Sequence, residues 1–206
     1  MRTQSELSDG ELIAQFKNGD AAAFDALVRR YDAALSGFLH HMVGDAALAD
    51  DLFQETFLRI LHSLPAYQER GRFKSWLFGV ARNLAVDALR RHRLERELFH
   101  RPAPSDPDRS NARALDEGVA DARHAPDVRA ERAEWAERLQ TAIAELPPEQ
   151  REVVMLRYGA EMTFRQIAEI TEVSINTALG RMRYATATLR RKLGVAVTGD
   201  VTDGTL

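Results

Sequence analysis

Three stretches of this chain carry residue types whose spacing suits work other than folding. The first is Arg72-Phe73-Lys74-Ser75-Trp76-Leu77-Phe78, in which aromatic rings are interleaved with cations. Rings stack on the faces of unstacked bases for ~1–3 kcal/mol per base, and cations follow a phosphate backbone, so this alternation suits single-stranded nucleic acid. Helical spacing assigns Leu77 to a core and leaves Trp76 and Phe73 open between core and surface. Asn83 follows Trp76 by seven residues on the same helical face, with an amide able to bond a base edge. Arg82, Arg90 and Arg91 extend the positive charge. The second stretch is Asn176, Thr177, Arg181 and Arg183, preceded by Ser174 and Arg165, at the start of a basic helical run. A helix in the major groove offers its N-terminal residues to base edges while flanking cations meet phosphates. The third is Asp50, Asp51, Gln54, Glu55 and Leu58, one face of a helix that is acidic with an apolar residue among the acids. A solvated face is the ordinary reading of such a run, but an exposed leucine beside it favours docking on a basic protein surface.

The sequence contains no constellation for bond chemistry. Its glycines are isolated, so no glycine loop is available to cradle a phosphate. His40 and His41 are adjacent and therefore point to different sides of a helix, which predicts no metal site. Cysteine is absent, which removes thiolate nucleophiles, disulfide frameworks and Cys-based zinc sites. No cofactor and no small-molecule substrate is implied.

The elements that must position these residues are helices. Ser8 with Glu11 predicts a capping box and a first helix over 9–18. Phe24, Leu27, Val28, Tyr31, Leu35, Phe38, Leu39 and Met42 predict a second over 20–43. Leu48, Leu52, Thr56, Phe57, Ile60 and Leu64 form the inner stripe of a third over 45–63. Gly71 interrupts before a fourth over 73–97. A fifth spans 130–145, and Pro147-Pro148 stop it and open a sixth over 149–158. Thr163 with Gln166 predicts a capped seventh helix over 164–171, and Ser174 caps an eighth over 175–193. Two helices separated by about three residues, the second basic, predict a helix-turn-helix. Val153-Val154-Met155-Leu156 is the only β-like run, and it sits inside a helical pattern. The fold class is therefore all-α. Four of seven prolines (Pro102, Pro104, Pro107, Pro126) lie within 101–130, a stretch poor in large apolar residues and read as a flexible linker. It divides a domain at 1–100 from one at 131–195, and 196–206 is read as a disordered tail.

Composition bounds the class. The 206 residues are 45% hydrophobic and 29% charged, without a membrane-length apolar run or a signal-peptide core, and predict a cytoplasmic protein. The net charge of −3 would ordinarily argue against a nucleic-acid binder. Resolved by segment, it does not. Residues 1–69 hold 5 basic and 11 acidic side chains, residues 70–93 hold 7 and 1, and residues 163–192 hold 6 and 2. Opposite balances on different surfaces predict partners of opposite sign.

The run from Leu48 to Arg59, the run from Phe73 to Arg91, and Leu146-Pro-Pro-Glu-Gln-Arg-Glu-Val with Gln166-Ile-Ala-Glu resemble bacterial sigma factors of the extracytoplasmic-function group, within the sigma-70 family. The likeness covers nearly all of residues 8–194. It implies that 1–100 is a region-two domain and 131–195 a region-four domain. It implies docking of Asp50, Asp51, Gln54, Glu55 and Leu58 on the clamp helices of the RNA polymerase β′ subunit, with the β flap as a further contact. Arg72, Phe73, Lys74, Trp76, Arg82, Asn83, Arg90 and Arg91 would recognise and help melt the minus-ten promoter element, Asn83 at the position that meets an extruded base. Arg165, Ser174, Asn176, Thr177, Arg181 and Arg183 would serve the minus-thirty-five element. An anti-sigma protein joins core polymerase and promoter DNA among the expected partners. The chain departs from the group at Glu172, where glycine is common in the turn, and at Leu179 and Gly180, where a basic residue and serine are common. The base code therefore does not transfer.

A linker of 30 residues spans about 30 Å as a coil and about 100 Å extended. The two promoter elements lie roughly 70 Å apart, two turns at ~34–36 Å each. The linker must therefore be drawn out when both are held. The competing reading is a helix-turn-helix regulator with an N-terminal sensing or dimerisation domain, which leaves the acidic face and the aromatic–cation stretch without a role.

Overall fold

The computed structural model describes residues 6–98 and 126–195, with side chains over 6–95 and 131–195. Those residues form eight α-helices and one π-helical turn, and no strand occurs among them. The N-terminal domain is α1 (Asp9–Lys17), α2 (Ala21–Val43), α3 (Ala46–Ser63) and α4 (Phe73–Leu98). The C-terminal domain is α5 (Pro126–Ala144), α6 (Pro148–Val154), the π turn Met155–Gly159, α7 (Phe164–Thr171) and α8 (Ile175–Leu193). Two expectations meet these bounds differently. Helix α5 begins at Pro126, four residues before the predicted start at 130, and proline suits the opening of a helix. The rest of the 101–130 linker and the 196–206 tail lie outside the described residues.

Helix ends follow the chemistry of their caps. Ser8 and Glu11 exchange side-chain and backbone bonds at the start of α1, and Thr163 and Gln166 do so at α7. Asp20, Asp45 and Ser174 each accept a backbone N–H in the first turn of α2, α3 and α8. Helices α2 and α8 end on the left-handed glycines Gly44 and Gly194. The predicted sixth helix is divided: Met155 onward winds with wider spacing, closed by Ala160 N–H to the Met155 carbonyl at 3.0 Å.

The N-terminal core is aromatic. Phe38, Phe73 and Phe78 are fully buried, and Tyr31 lies within 6.5 Å of both Phe73 and Phe78 by ring centroids. Phe24 links Phe16 to Phe57, joining α1, α2 and α3. The short helix α1 is fixed from outside as well. Arg30 donates to Asp9 at 2.6 Å and to the Leu7 carbonyl, and the Tyr31 hydroxyl donates to the other Asp9 oxygen. The C-terminal core is aliphatic, built on Val153, Leu156, Met162, Ile167, Ala178 and Ala185. The two domains touch: α2 lies on α6 and the π turn, and α4 lies on α7. No helix of the described residues is long and apolar enough to cross a membrane.

Candidate nucleic-acid and polymerase interface

The 3.6-residue period splits α3 into two faces. Leu52, Thr56, Phe57 and Ile60 are buried, while Asp50, Asp51, Gln54 and Leu58 are exposed, with Leu58 half open to solvent. The hydroxyl of Thr56 is satisfied within the helix by the Leu52 carbonyl at 2.6 Å. An exposed leucine inside an acidic face costs solubility without improving packing, which fits a surface made to be covered. His40 reaches Asp50 at 3.5 Å across the α2–α3 pair, while His41 on the next position is buried. The two histidines part company as their adjacency requires.

The opposite edge of α3 meets α4 in a cleft of about 310 Å³ lined by Arg59, His62, Ser63, Trp76, Val80 and Asn83. Trp76 and Asn83 are thus brought together, as their seven-residue spacing predicts. The ring of Tyr67 stacks on Trp76, with centroids 4.5 Å apart and planes within 10°. It fixes the indole in place while Trp76 lines the cleft. Burial, with Glu69 nearby, pushes the Tyr67 hydroxyl up to about 12. It is neutral at physiological pH and adds no charge beside the cleft. Tyr67, Arg59 and His62 were not singled out in the sequence. Tyr67 follows the end of α3 in an irregular segment where no period marks it, and Arg59 and His62 read as ordinary solvated residues. Arg59 also bonds Glu55 at 2.7 Å, tying the acidic face to the cleft one turn away.

Phe73 requires a correction. It is 1% exposed, packed between Tyr31 and Tyr67, and cannot stack on a base. It opens α4, where the first turn faces inward, and its alternation with Arg72 and Lys74 is that of a helix start rather than a surface strip. Of the other residues named for this element, Asn83, Arg90 and Arg91 are exposed and Lys74 is partly so. Arg72 and Arg82 are engaged: Arg72 meets Glu169 at 3.0 Å, and Arg82 meets Glu152 at 2.6 Å with both side chains largely buried.

In the C-terminal domain, α7 ends at Glu172, whose backbone is left-handed with φ 56°. Glu172 N–H and Val173 N–H both bond the Ala168 carbonyl, which closes the helix and turns the chain into α8 within three residues. A left-handed residue is what glycine supplies most easily, so Glu172 keeps the turn geometry at a conformational cost. Asn176 and Thr177 are exposed on the first turn of α8, Arg183 is exposed, Arg181 is partly buried, and Arg165 is exposed on α7. Ser174 spends its hydroxyl on the cap, accepting from Thr177 N–H at 3.0 Å. Leu179 lies exposed beside them, and a side chain at Gly180 would meet open space. Packing does not dictate either departure.

Two family descriptions match the chain. Residues 27–95 match the family model for sigma-70 region 2, and residues 136–180 match that for sigma-70 region 4. The chain is 32% identical to the RNA polymerase sigma factor CarQ of Myxococcus xanthus, over 88% of this chain and 95% of CarQ. It is likewise 32% identical to the ECF RNA polymerase sigma factor SigL of Mycobacterium tuberculosis, over 86% of this chain and 97% of SigL. The fold is similar to the sigma factor RpoE solved with the anti-sigma factor NepR of Bartonella quintana, at TM-score 0.65 and 21% identity, over 84% and 97% of the two chains. It is similar also to CnrH solved with the cytosolic domain of CnrY, at TM-score 0.57 and 23% identity, over 92% and 99%.

Proposed function

Since this chain belongs to the extracytoplasmic-function group of the sigma-70 family, we propose that it binds core RNA polymerase, brings it to specific promoters and helps open the minus-ten element. One observation carries this reading into the residues. A single helix pair, α3 and α4, offers an acidic face with an exposed leucine on one side and an aromatic cleft with an amide on the other. A regulator that only read duplex DNA would need neither. Asp50, Asp51, Gln54, Glu55 and Leu58 form the polymerase-facing surface. An extruded base would enter the cleft between Trp76 and Asn83, stacking on one and hydrogen-bonding the other. Lys74, Arg90 and Arg91, together with Arg72 and Arg82 once free, would follow the strand.

The second contact would be made by α8. Asn176 and Thr177 lie where a recognition helix meets base edges, with Arg165, Arg181 and Arg183 placed for phosphates or bases. The exposed Leu179 replaces a polar contact with an apolar one, which favours a thymine methyl at that position of the upstream element. Relatives of this fold are solved with anti-sigma proteins, and such a protein is the expected partner in the silent state. The site of action is cytoplasmic and the role involves no bond chemistry. Transcription from a genomic DNA pool by purified core polymerase, with start sites mapped, tests the reading. A common pair of upstream elements at the starts is expected. Failure to stimulate core polymerase, with duplex binding retained, would instead support a helix-turn-helix regulator.

A further inference from the structure

Helix α1 lies ahead of the residues matched to region 2, which begin at 27. Leu12 and Ile13 bury its inner side in the ordinary way. Its two ends reach elsewhere, to the irregular segment 64–72 that joins α3 to α4. Near the C-terminal end, Lys17 Nζ donates to the Tyr67 carbonyl at 2.5 Å, 50 residues along the chain. Near the N-terminal end, Gly10 stands against Glu69, since a Cβ at Gly10 would lie 3.1 Å from Glu69 Cγ. Glu69 in turn accepts the N–H of Gly71, whose left-handed backbone (φ 71°) leads into α4. The helix that makes these contacts is itself anchored, because Asp9 accepts bonds from Arg30 and Tyr31 of α2.

The segment needs such support. Within it Leu64 is buried and Tyr67 partly so, while 65, 66 and 68–72 are exposed. A stretch with so little buried apolar surface has little local stability of its own. Yet it carries Tyr67, whose ring stacks on Trp76 at 4.5 Å and meets Phe73 edge-on at 6.1 Å. Trp76 in turn lines the cleft with Asn83. The bond from Lys17 falls on the backbone of the residue that supports the indole, so the position of α1 is passed to the cleft wall in two steps.

We propose that α1 braces the segment between α3 and α4, with Lys17 as the positioning residue that holds Tyr67 against Trp76, so that the platform for an extruded base is formed before DNA arrives. The proposal rests on the base-binding role given above to Trp76 and Asn83. Its physical content is pre-organisation: a site competent in only a fraction of molecules binds more weakly by that fraction. If loss of the Lys17 bond leaves the platform formed in about a third of molecules, affinity for the strand falls about threefold. A factor of that size is what one exposed hydrogen bond can supply.

The test uses the full chain in the W135F background, which leaves Trp76 as the one tryptophan. K17M keeps the aliphatic stem and removes the donor, whereas K17R keeps a donor. Acrylamide quenching of the indole reports how firmly Trp76 is held, and permanganate reactivity of minus-ten thymines with core polymerase reports opening. K17M should raise quenching and lower opening about threefold, with polymerase binding and the thermal melt unchanged, and K17R should restore both. A lysine that merely stabilised α1 would move the melt and leave the indole as it was. Quenching unchanged in K17M overturns the brace and leaves the sigma reading intact. Raised quenching with opening unchanged, or no recovery in K17R, overturns the positioning role. Failure of the W135F chain with native Lys17 to stimulate core polymerase overturns the sigma reading instead, while the quenching comparison still decides whether α1 braces the segment.

Discussion

The two domains build surfaces for nucleic acid from different materials. In the N-terminal domain, rings touch rings from Phe16 through Phe24 and Phe57, and from Phe38 through Phe78, Tyr31 and Phe73 to Tyr67 and Trp76. The C-terminal domain holds its helices with aliphatic and small residues, and Ala178, Met182 and Ala185 form the buried stripe of α8. The difference matches the two tasks. Holding an extruded base, the role proposed for the cleft, needs a flat apolar platform that does not move, and Trp76 stacked on Tyr67 is a partly exposed end of the aromatic core. Reading duplex DNA needs a narrow helix that stands clear of its neighbours, and small buried residues let α8 pack closely while its first turn stays bare.

That contrast can be broken most sharply at Phe78. Phe78→Ala should cost ~3–5 kcal/mol, because a fully buried ring leaves a cavity among rings that cannot collapse. The chain has two tryptophans, Trp76 in one domain and Trp135 in the other. In urea the W135F background should show a large loss through Trp76, and the W76F background a smaller one through Trp135. Equal losses would mean that the domains unfold as one body.

Trp76→Ala and Asn83→Ala should each weaken promoter opening by ~1–3 kcal/mol, the worth of a stacked or hydrogen-bonded base. Permanganate reactivity of minus-ten thymines measures opening, and polymerase binding measured in parallel should be unchanged. Loss of both together would assign these residues to the core. Trp76 is the more informative of the pair, since Tyr67 should keep its own place without it.

The seam between the domains should respond to acid. Burial lowers the pKa of His41 first, with the charges of Arg151 and His40 adding to it and the Gln140 side chain opposing. The folded chain therefore disfavours the charged form of His41. As pH falls below the ordinary value of about 6.5, the unfolded chain takes up a proton more readily than the folded chain does. Stability should fall on acidification by less than about 1.4 kcal/mol per pH unit, until the depressed value is reached. Urea midpoints at pH 7.5 and 5.5 should converge in His41→Gln, and a native slope unchanged by that substitution would place the titration elsewhere.

The smallest effect is expected in the turn of the helix-turn-helix. Glu172→Gly should stabilise the C-terminal domain by ~0.5–1 kcal/mol, because relief of the left-handed conformation outweighs the added freedom of the unfolded chain. A thermal melt followed at Trp135 measures it. Destabilisation would show that Glu172 makes a contact worth more than its strain.

Most of the helices were legible because their signals are local. Capping pairs such as Ser8 with Glu11 and Thr163 with Gln166 act over three residues, and apolar periods repeat within one element. The errors fell where a signal was not local. Phe73 carries the composition of a base-stacking strip, yet it is the first residue of α4 and turns toward Tyr31. Tyr67 has no periodic context, so its role as the support of Trp76 was invisible. The predicted sixth helix passes into a π turn at Met155, where it lies on α2, a distant partner that no local pattern marks.

The sequence by itself determined the eight helices, the two-domain division and the segregation of charge, with an acidic face on α3 and basic runs on α4 and α8. Each follows from side-chain type and spacing along one strand of chain. Only the tertiary structure decided which cations pair with the other domain. Arg72 and Arg82 look the same as Arg90 and Arg91 in the sequence, and differ because Glu169 and Glu152, about 97 and 70 residues away, are folded against them. Charge along a chain is additive, but its availability depends on what the fold brings within hydrogen-bond reach.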